Sequence, residues 1–244
     1  MFAILQISDR NTIIRPPKIG SQRFNLNSDD AFFIVTVDSH RGKIPWKKLE
    51  KCLGILRQDI ILPEDITIPE EINITSFTPH ILPQIILMNS ATDYILQNKV
   101  HFTSKTLAIF DESGIYVTYI EKLISCFSSI KIITSKPDKY DHISQKLLED
   151  YGFSLIISSE ERYNCDTIIS HQCNVPLFFS GTVFTSQKKY LMNATVFSGS
   201  DIELPDEYEN MRPSNIGRVP FASALYEKCK VKEITTLRYT DFSS

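Results

Sequence analysis

The chain lacks a long hydrophobic run. Its longest, residues 83–88 (PQIILM), falls far short of the roughly 20 apolar residues that cross a bilayer. The first ten residues also lack the basic segment of a secretory signal. Among the five cysteines there is no closely spaced pair, which is typical of reduced thiols rather than disulfides. We therefore expect a cytoplasmic protein that does not use a membrane as a partner.

A concentrated positive charge is lacking as well. The net charge is −3 and the pI is near 6.0, and no cluster of lysine and arginine is large enough to displace counterions from a nucleic acid. We therefore exclude nucleic acid as the main partner. What the chain does have is an ordinary globular composition, with 42% hydrophobic and 23% charged residues, so a packed core is expected.

Residues 106–157 carry the clearest structural pattern. Two short apolar runs, around 107–110 and 130–133, are bounded by polar residues, as buried parallel strands are. A helix is predicted after each, because apolar residues recur at helical spacing, and Gly152 stands where the second helix should end. This pattern predicts alternating strands and helices in a parallel sheet.

The rest of the chain is placed around this stretch. Short strand-like runs fill residues 1–40, a helix is predicted over 43–57, and a long buried helix over 79–97. Toward the end we predict strands near 167–169 and 190–197, a helix over 221–229 and a terminal strand over 231–239. The predicted fold is α/β, with a small α+β domain (1–100) before a Rossmann-like three-layer domain with a mostly parallel sheet (101–244).

Polar residues follow the predicted strands at their carboxyl ends, where an open parallel sheet binds ligands. The candidate binding residues are Asp111, Glu112, Ser113, Gly114, Thr134, Ser135, Lys136, Ser158 and His171. Cys165, His171 and Cys173 are too few for a zinc site that needs about four ligands, so no metal site is predicted.

The layout of residues 104–185 resembles the nucleotide-binding domains of Rossmann-type dehydrogenases, and the plan of the whole chain resembles shikimate dehydrogenases. That resemblance implies NAD or NADP as cofactor. Dinucleotide binders carry G-x-G-x-x-G after the first strand, whereas this chain has only Gly114 there, with Asp111 and Glu112 where a phosphate would lie. No acid follows the second strand to hold the ribose. Thr134, Ser135 and Lys136 stand there instead, which favours NADP over NAD.

The sequence IFDESG resembles the first motif of haloacid-dehalogenase-type phosphatases. That resemblance implies Asp111 as the nucleophile, with magnesium bridging to phosphate. Ser113 replaces the second acid of that motif, and no later pair of aspartates follows a strand.

The hypothesis that needs fewest assumptions is a Rossmann-like binding module without established catalysis. In that case Asp111 caps the following helix through backbone N–H groups. His171 is then either a general base or a hydrogen-bonded loop residue. The partner is a small molecule or a protein, including a second copy of the chain docked along the predicted strand 231–239.

Overall fold

The computed structural model describes residues 1–9, 18–26, 30–39, 43–159, 164–172, 175–176, 178–187 and 190–244. Contacts divide the chain into two compact units. Unit 1 comprises Met1–Leu82 and Leu204–Ile234, and unit 2 comprises Pro83–Glu203 and Thr235–Ser244. This division differs from the predicted boundary at residue 100, because the long helix belongs almost entirely to unit 2 and a later segment returns to unit 1.

Unit 1 contains a four-stranded mixed sheet in the order β2-β3-β1-β4. β1 pairs in parallel with β3 and β4, whereas β2 pairs antiparallel with β3 and forms one edge. A 3-10 helix, Gly54–Gln58, follows α1 directly. The elements of unit 1 are β1 (Phe2–Asp9), β2 (Ile19–Asn25), β3 (Ala31–Ser39), α1 (Trp46–Leu53), β4 (Ile60–Ile61), α5 (Asp206–Glu209) and α6 (Arg218–Cys229).

The two faces of this sheet are covered by different helices. On one face, Leu49 and Leu53 of α1 pack with Leu5, Val35 and other apolar side chains of β1 and β3. On the other face the rings of Phe2, Phe24 and Phe32 stack, and Phe221 of α6 meets Phe32 edge-on. This contact explains why the segment 204–234 belongs to unit 1.

A three-residue ionic network holds the turn between α5 and α6. Glu209 forms an ion pair with Arg212, and Arg218 Nε lies 3.1 Å from Glu209 Oε2. The hydrogen bond from Arg212 comes first among the causes that lower the pKa of Glu209 to about 2, and Arg218 contributes further. The network therefore exists only while Glu209 is ionised.

We expect acid to weaken unit 1 through this network. The pKa of Glu209 is lower in the folded chain than its ordinary value of 4.5, so its stabilisation is complete above pH 4.5 and is lost as the pH falls toward about 2. Replacing Glu209→Gln should lower the melting temperature at pH 7 by about 3 °C, the shift that about 1 kcal/mol gives in a chain of this size. The difference between the variant and the parent chain should vanish near pH 2; a difference that persists there would contradict this assignment.

Unit 2 contains a six-stranded sheet in the order β10-β9-β8-β5-β6-β7, and all its pairings are parallel. When β5 to β10 are renumbered 1 to 6 and the sheet is read from β7 to β10, the strand order is 3-2-1-4-5-6. This is the Rossmann strand order. The strands are β5 (Thr106–Phe110), β6 (Ser129–Ile133), β7 (Ile156–Ser158), β8 (Thr167–Ile169), β9 (Ser180–Thr185) and β10 (Asn193–Ser198).

Helices α2 (Leu82–Gln97), α3 (Val117–Leu123) and α4 (Asp141–Tyr151) flank this sheet. α3 and α4 make the crossovers β5-to-β6 and β6-to-β7, as predicted, and Gly152 ends α4 with φ +63°. The β8-to-β9 and β9-to-β10 connections are short and contain no helix among their described residues. Within the described part of the chain, no helix has the length and apolar character to cross a membrane.

Several predicted elements keep their type but change their bounds. The long helix begins at Leu82 rather than 79, and its side chains Ile86, Leu87 and Met88 are fully buried. The predicted run at 12–14 lies outside the described residues. The terminal strand over 231–239 was wrong. A 3-10 helix occupies Glu233–Thr236, and isolated antiparallel bridges then join Tyr239 to Ile202 and Ser243 to Ser198.

Candidate functional site

The candidate site lies where the strand order of unit 2 reverses, between β5 and β8. These two strands are adjacent and parallel, so their carboxyl ends lie at the same edge of the sheet. The turn Asp111–Gly114 follows β5, and His171 follows β8. The structure thus brings to one edge two of the segments that the sequence analysis selected.

Asp111 is the centre of this turn and is fully buried. Its Oδ1 accepts the backbone N–H groups of Ser113 (3.1 Å) and Gly114 (2.7 Å). Its Oδ2 accepts the N–H of Tyr116 at 2.8 Å and a short hydrogen bond from the Tyr140 hydroxyl. An aspartate that binds backbone groups two and three residues further on is a common turn device. Asp111 thus accepts backbone N–H groups, as the binding-module hypothesis expects, but they belong to the turn before α3, and the helix itself has no side-chain cap.

Tyr140 joins a second segment to the turn. It ends a 3-10 helix, Pro137–Tyr140, directly before α4. Burial, followed by the charge of Asp111 and the hydrogen bond to it, raises the pKa of the Tyr140 phenol. The phenol therefore stays protonated and keeps donating to Asp111. In the sequence, Tyr140 is one of the apolar residues of the predicted helix that ends at Gly152. Only its hydrogen bond to Asp111 in the structure reveals this role.

Gly114 has φ +66°, a conformation that glycine adopts readily and other residues rarely do. A Cβ at this position would lie 2.4 Å from Cδ of Lys139, which crosses the turn and donates from Nζ to the Ser113 carbonyl oxygen at 3.2 Å. Glycine at this position therefore allows both the positive φ and the close approach of the Lys139 side chain.

The remaining predicted residues contribute little to a shared pocket. Glu112, Ser135 and Lys136 are exposed. Thr134 is buried, and its hydroxyl accepts the N–H of Lys136 at 3.0 Å. The N–H of Thr134 in turn donates to the carbonyl oxygen of Ser158 at 3.0 Å, which joins the ends of β6 and β7.

His171 belongs to a second polar group at the same edge. Its Nδ1 lies 2.9 Å from Oγ of Ser186, which directly follows β9. The Tyr239 side chain also hydrogen-bonds Ser186, an interaction that opposes the rise in the Tyr239 pKa caused by burial. Tyr239 is held in place because its N–H donates to the buried Ser90 hydroxyl at 2.9 Å. No sequence motif connects Ser186 and Tyr239 with His171, so the sequence alone does not identify them as site residues.

The Tyr116 hydroxyl completes this group. It is fully buried and has no hydrogen-bond partner among the described residues. Burial is the first cause that raises its pKa, and the charges of Asp111, Tyr119 and Tyr239 follow. Tyr116 directly precedes α3, at the end of the turn after β5. We call Tyr116, His171, Ser186 and Tyr239 the switch-point group.

The described residues contain no group of three or more histidines, cysteines or acids that could hold a metal. Cys165 is half-buried, and burial followed by the charge of Asp166 raises its pKa to about 11. It is therefore a poor thiolate ligand at neutral pH. Cys173, the other cysteine considered near His171, lies outside the described residues.

No protein-family model matches this chain, and no curated protein matches it. Among solved structures, the chain is similar to L-tryptophan dehydrogenase from Nostoc punctiforme, with 8% sequence identity and a TM-score of 0.34. The match covers 84% of this chain and 64% of the dehydrogenase, so the chain spans less than two thirds of that protein's length. The Rossmann-like assignment of unit 2 follows from its own strand order and parallel pairing.

Replacing Asp111→Asn should destabilise the protein by about 3 kcal/mol. The amide cannot accept all the hydrogen bonds that the carboxylate accepts, and bonds to a charged group contribute about 1.5–3 kcal/mol each. The matched control is Glu112→Gln, which removes an exposed carboxylate one residue away and should change stability by less than about 0.5 kcal/mol. Urea denaturation of both variants measures the difference, and equal effects would contradict the central role of Asp111.

Proposed function

We propose that this protein is a Rossmann-like binding module that takes a small, neutral, polar ligand at the switch point and does not use a dinucleotide there. One observation carries this proposal. The N–H groups of the turn after β5, which in a dinucleotide site would face the pyrophosphate, are already bound by the buried carboxylate of Asp111.

A phosphate meets two obstacles at this turn. It would have to displace Asp111 from three N–H groups, which would leave a buried carboxylate without its donors. It would also lie close to that negative charge, and Lys139, the lysine that crosses the turn, already donates from Nζ to the Ser113 carbonyl oxygen at 3.2 Å. The NAD(P)-dependent oxidoreductase considered from the sequence therefore lacks support at this position.

The phosphatase alternative has even less support. A nucleophilic aspartate must present a free oxygen to the phosphorus atom, and both oxygens of Asp111 accept two hydrogen bonds each. The carboxylate is also fully buried. No metal-binding group among the described residues offers a site for the magnesium that this chemistry needs.

The switch-point group determines the ligand class that we propose. Three hydroxyls and one imidazole can donate or accept hydrogen bonds, and none of them carries a fixed charge. The Tyr116 hydroxyl adds a buried donor without a partner among the described residues. A compound with hydroxyl, carbonyl or amide groups would satisfy that donor, whereas an anion would be repelled by Asp111. The module therefore fits a neutral ligand better than a phosphorylated one.

The first test is the binding of NADP, NAD and inorganic phosphate. Binding is measured by calorimetry and by changes in the backbone amide signals of Ser113 and Gly114 in NMR spectra. We expect no binding at about 1 mM, since the amides are occupied. A dissociation constant below that value, with shifts of the Gly114 amide, would contradict the proposal and restore the oxidoreductase interpretation.

The second test compares Tyr116→Phe with Tyr119→Phe. The Tyr119 hydroxyl donates to Asn89 at 2.7 Å, so its removal should cost about 1 kcal/mol, whereas removal of the unpartnered Tyr116 hydroxyl should not destabilise the unbound chain. Glycerol, acetamide and glucose serve as neutral compounds, with the imidazole signals of His171 as the readout. We expect at least one compound to shift these signals, and about tenfold weaker binding in Tyr116→Phe alone. If none shifts them, the ligand proposal is wrong.

A protein partner is the second candidate, and a specific surface favours it. Phe178, Tyr190 and Met192 are 72–85% exposed, and they lie just before β9 and β10, at the edge of the sheet. An exposed apolar group beside an edge strand is typical of a protein contact. We propose a second copy of the chain at this edge instead of the 231–239 segment. Sedimentation should show a dimer that Tyr190→Ser weakens, and a monomer at high concentration would contradict it.

A cytoplasmic location remains part of the proposal. Cys52, Cys126, Cys165 and Cys229 are all free thiols in the described chain, which supports a reducing compartment.

A further inference from the structure

Unit 1 contains a cavity that the switch-point proposal does not use. It has a volume of about 250 Å³ and lies between the edge strand β2, its neighbour β3, and α1 with the 3-10 helix that follows. Its lining is mostly apolar and includes Ile19, Ser21, Phe33, Val35, Cys52 and Leu56. An apolar cavity of about 150 Å³ is large enough for benzene, so this one can hold an aromatic ring with a short substituent.

The cavity exists because α1 covers only part of the sheet. Leu49 and Leu53 lie fully or almost fully buried over β1 and β3. On the outer strand, by contrast, Ser21 is exposed, although it faces the same side of the sheet as its cross-strand partner Val35. A small residue on the outer strand and a helix that stops short of it leave the space open.

Arg23 lies on the same face of β2 as the cavity lining. Side chains two residues apart on a strand point to the same face, so Arg23 projects to the same side as Ile19 and Ser21. Arg23 lies directly opposite the lining residue Phe33 in the strand register and is exposed. A guanidinium on this strand face matches a ligand whose apolar part carries a carboxylate, which it can bind through two parallel hydrogen bonds.

The helix side adds more positive charge. Residues 43–58 contain four lysines and one arginine against one glutamate. Lys48 lies one helical turn before Cys52 and therefore on the same side of α1 as this lining residue. This segment is therefore positively charged, whereas the whole chain has a net charge of −3. An anionic ligand therefore matches this side of unit 1 better than a cationic one.

From the cavity, its apolar lining and Arg23, we infer that unit 1 binds a small amphipathic carboxylate, with an aromatic or short aliphatic part between β2 and α1 and the carboxylate on Arg23. The thiol of Cys52, which is exposed and lines the cavity, is covered when the ligand is bound. This inference goes beyond the proposed function, since it concerns a different unit, different residues and a ligand of different charge.

Two matched compounds test the inference, 3-phenylpropionate and the neutral alcohol 3-phenylpropanol, with binding measured by calorimetry on the full chain. We expect the acid to bind with a dissociation constant of about 1 mM or lower, and the alcohol to bind about tenfold more weakly, because it cannot pair with Arg23. Bound acid should also slow the alkylation of Cys52 by iodoacetamide, followed by mass spectrometry of the Cys52 peptide.

Three variants locate the site. Arg23→Gln should weaken binding of the acid about tenfold and leave the alcohol unchanged. Ser21→Leu should place apolar atoms in the cavity and weaken both compounds, while the exposed position keeps the chain folded. Lys99→Gln removes an equal charge from an exposed position of unit 2 and should change neither, which makes it the matched control.

Several outcomes would overturn the inference. They are equal affinity for acid and alcohol, binding that survives both Arg23→Gln and Ser21→Leu, or an alkylation rate of Cys52 that the acid does not change. Failure of the acid to bind at about 10 mM would also overturn it. Binding of an extended peptide but of neither phenyl compound would overturn it as well, and would assign the cavity and the edge of β2 to a protein partner.

Discussion

The buried carboxylate of Asp111 is the constraint on which the centre of unit 2 depends. A carboxylate without exposure to water is costly unless hydrogen bonds replace its hydration. Asp111 meets that requirement with three backbone N–H groups of its own turn and with the Tyr140 hydroxyl. One side chain therefore joins the end of β5, the beginning of α3 and the segment before α4, and it fixes the edge of the sheet where a ligand would bind.

The same arrangement is the basis for proposing that this Rossmann strand order does not serve a dinucleotide. The first N–H groups of a helix have no partner within the helix, so they must bind something. In a dinucleotide-binding domain the pyrophosphate provides that partner, and glycines allow it to come close. Here the carboxylate of Asp111 binds the N–H groups of Ser113, Gly114 and Tyr116, which precede the helix, so the chain itself supplies the anion of this turn.

The sequence predicted those parts of the fold that depend on local patterns. Isoleucine-rich strands and the helix that ends at Gly152 were recognisable because each follows from residues close together in the chain. The start of α2 was predicted less well. The carboxylate of Glu227 accepts the N–H groups of Ile81 (2.8 Å) and Leu82 (3.3 Å) there, from more than 140 residues away. No local pattern contains that information.

The candidate site shows the same limit. Asp111 could be predicted as an acceptor of backbone N–H groups, because aspartate commonly serves that purpose in a turn, although it does not cap the helix itself. The contact between His171 and Ser186, and that between Ser186 and Tyr239, depend on the strand order, on a short β9-to-β10 connection and on the return of the C-terminal segment to unit 2. These are tertiary features. They bring together His171, Ser186 and Tyr239, which have no characteristic spacing in the sequence. The terminal strand was wrong for a related reason, since the β-branched residues of 231–239 suggested extended structure where tertiary contacts select a 3-10 helix.

Local charge, rather than net charge, decides which ligands the two units can attract. The whole chain has a net charge of −3, which alone suggests poor binding of anions. In unit 2 the buried carboxylate of Asp111 lies at the turn, so our proposal disfavours an anion there and favours a neutral polar molecule. In unit 1 our proposal favours an anion, because Arg23 shares the strand face of the cavity lining and α1 carries lysines. Because electrostatic interactions weaken over about 10 Å at moderate salt, each site responds mainly to its own neighbours. A single chain can therefore discriminate ligands in opposite ways in its two units.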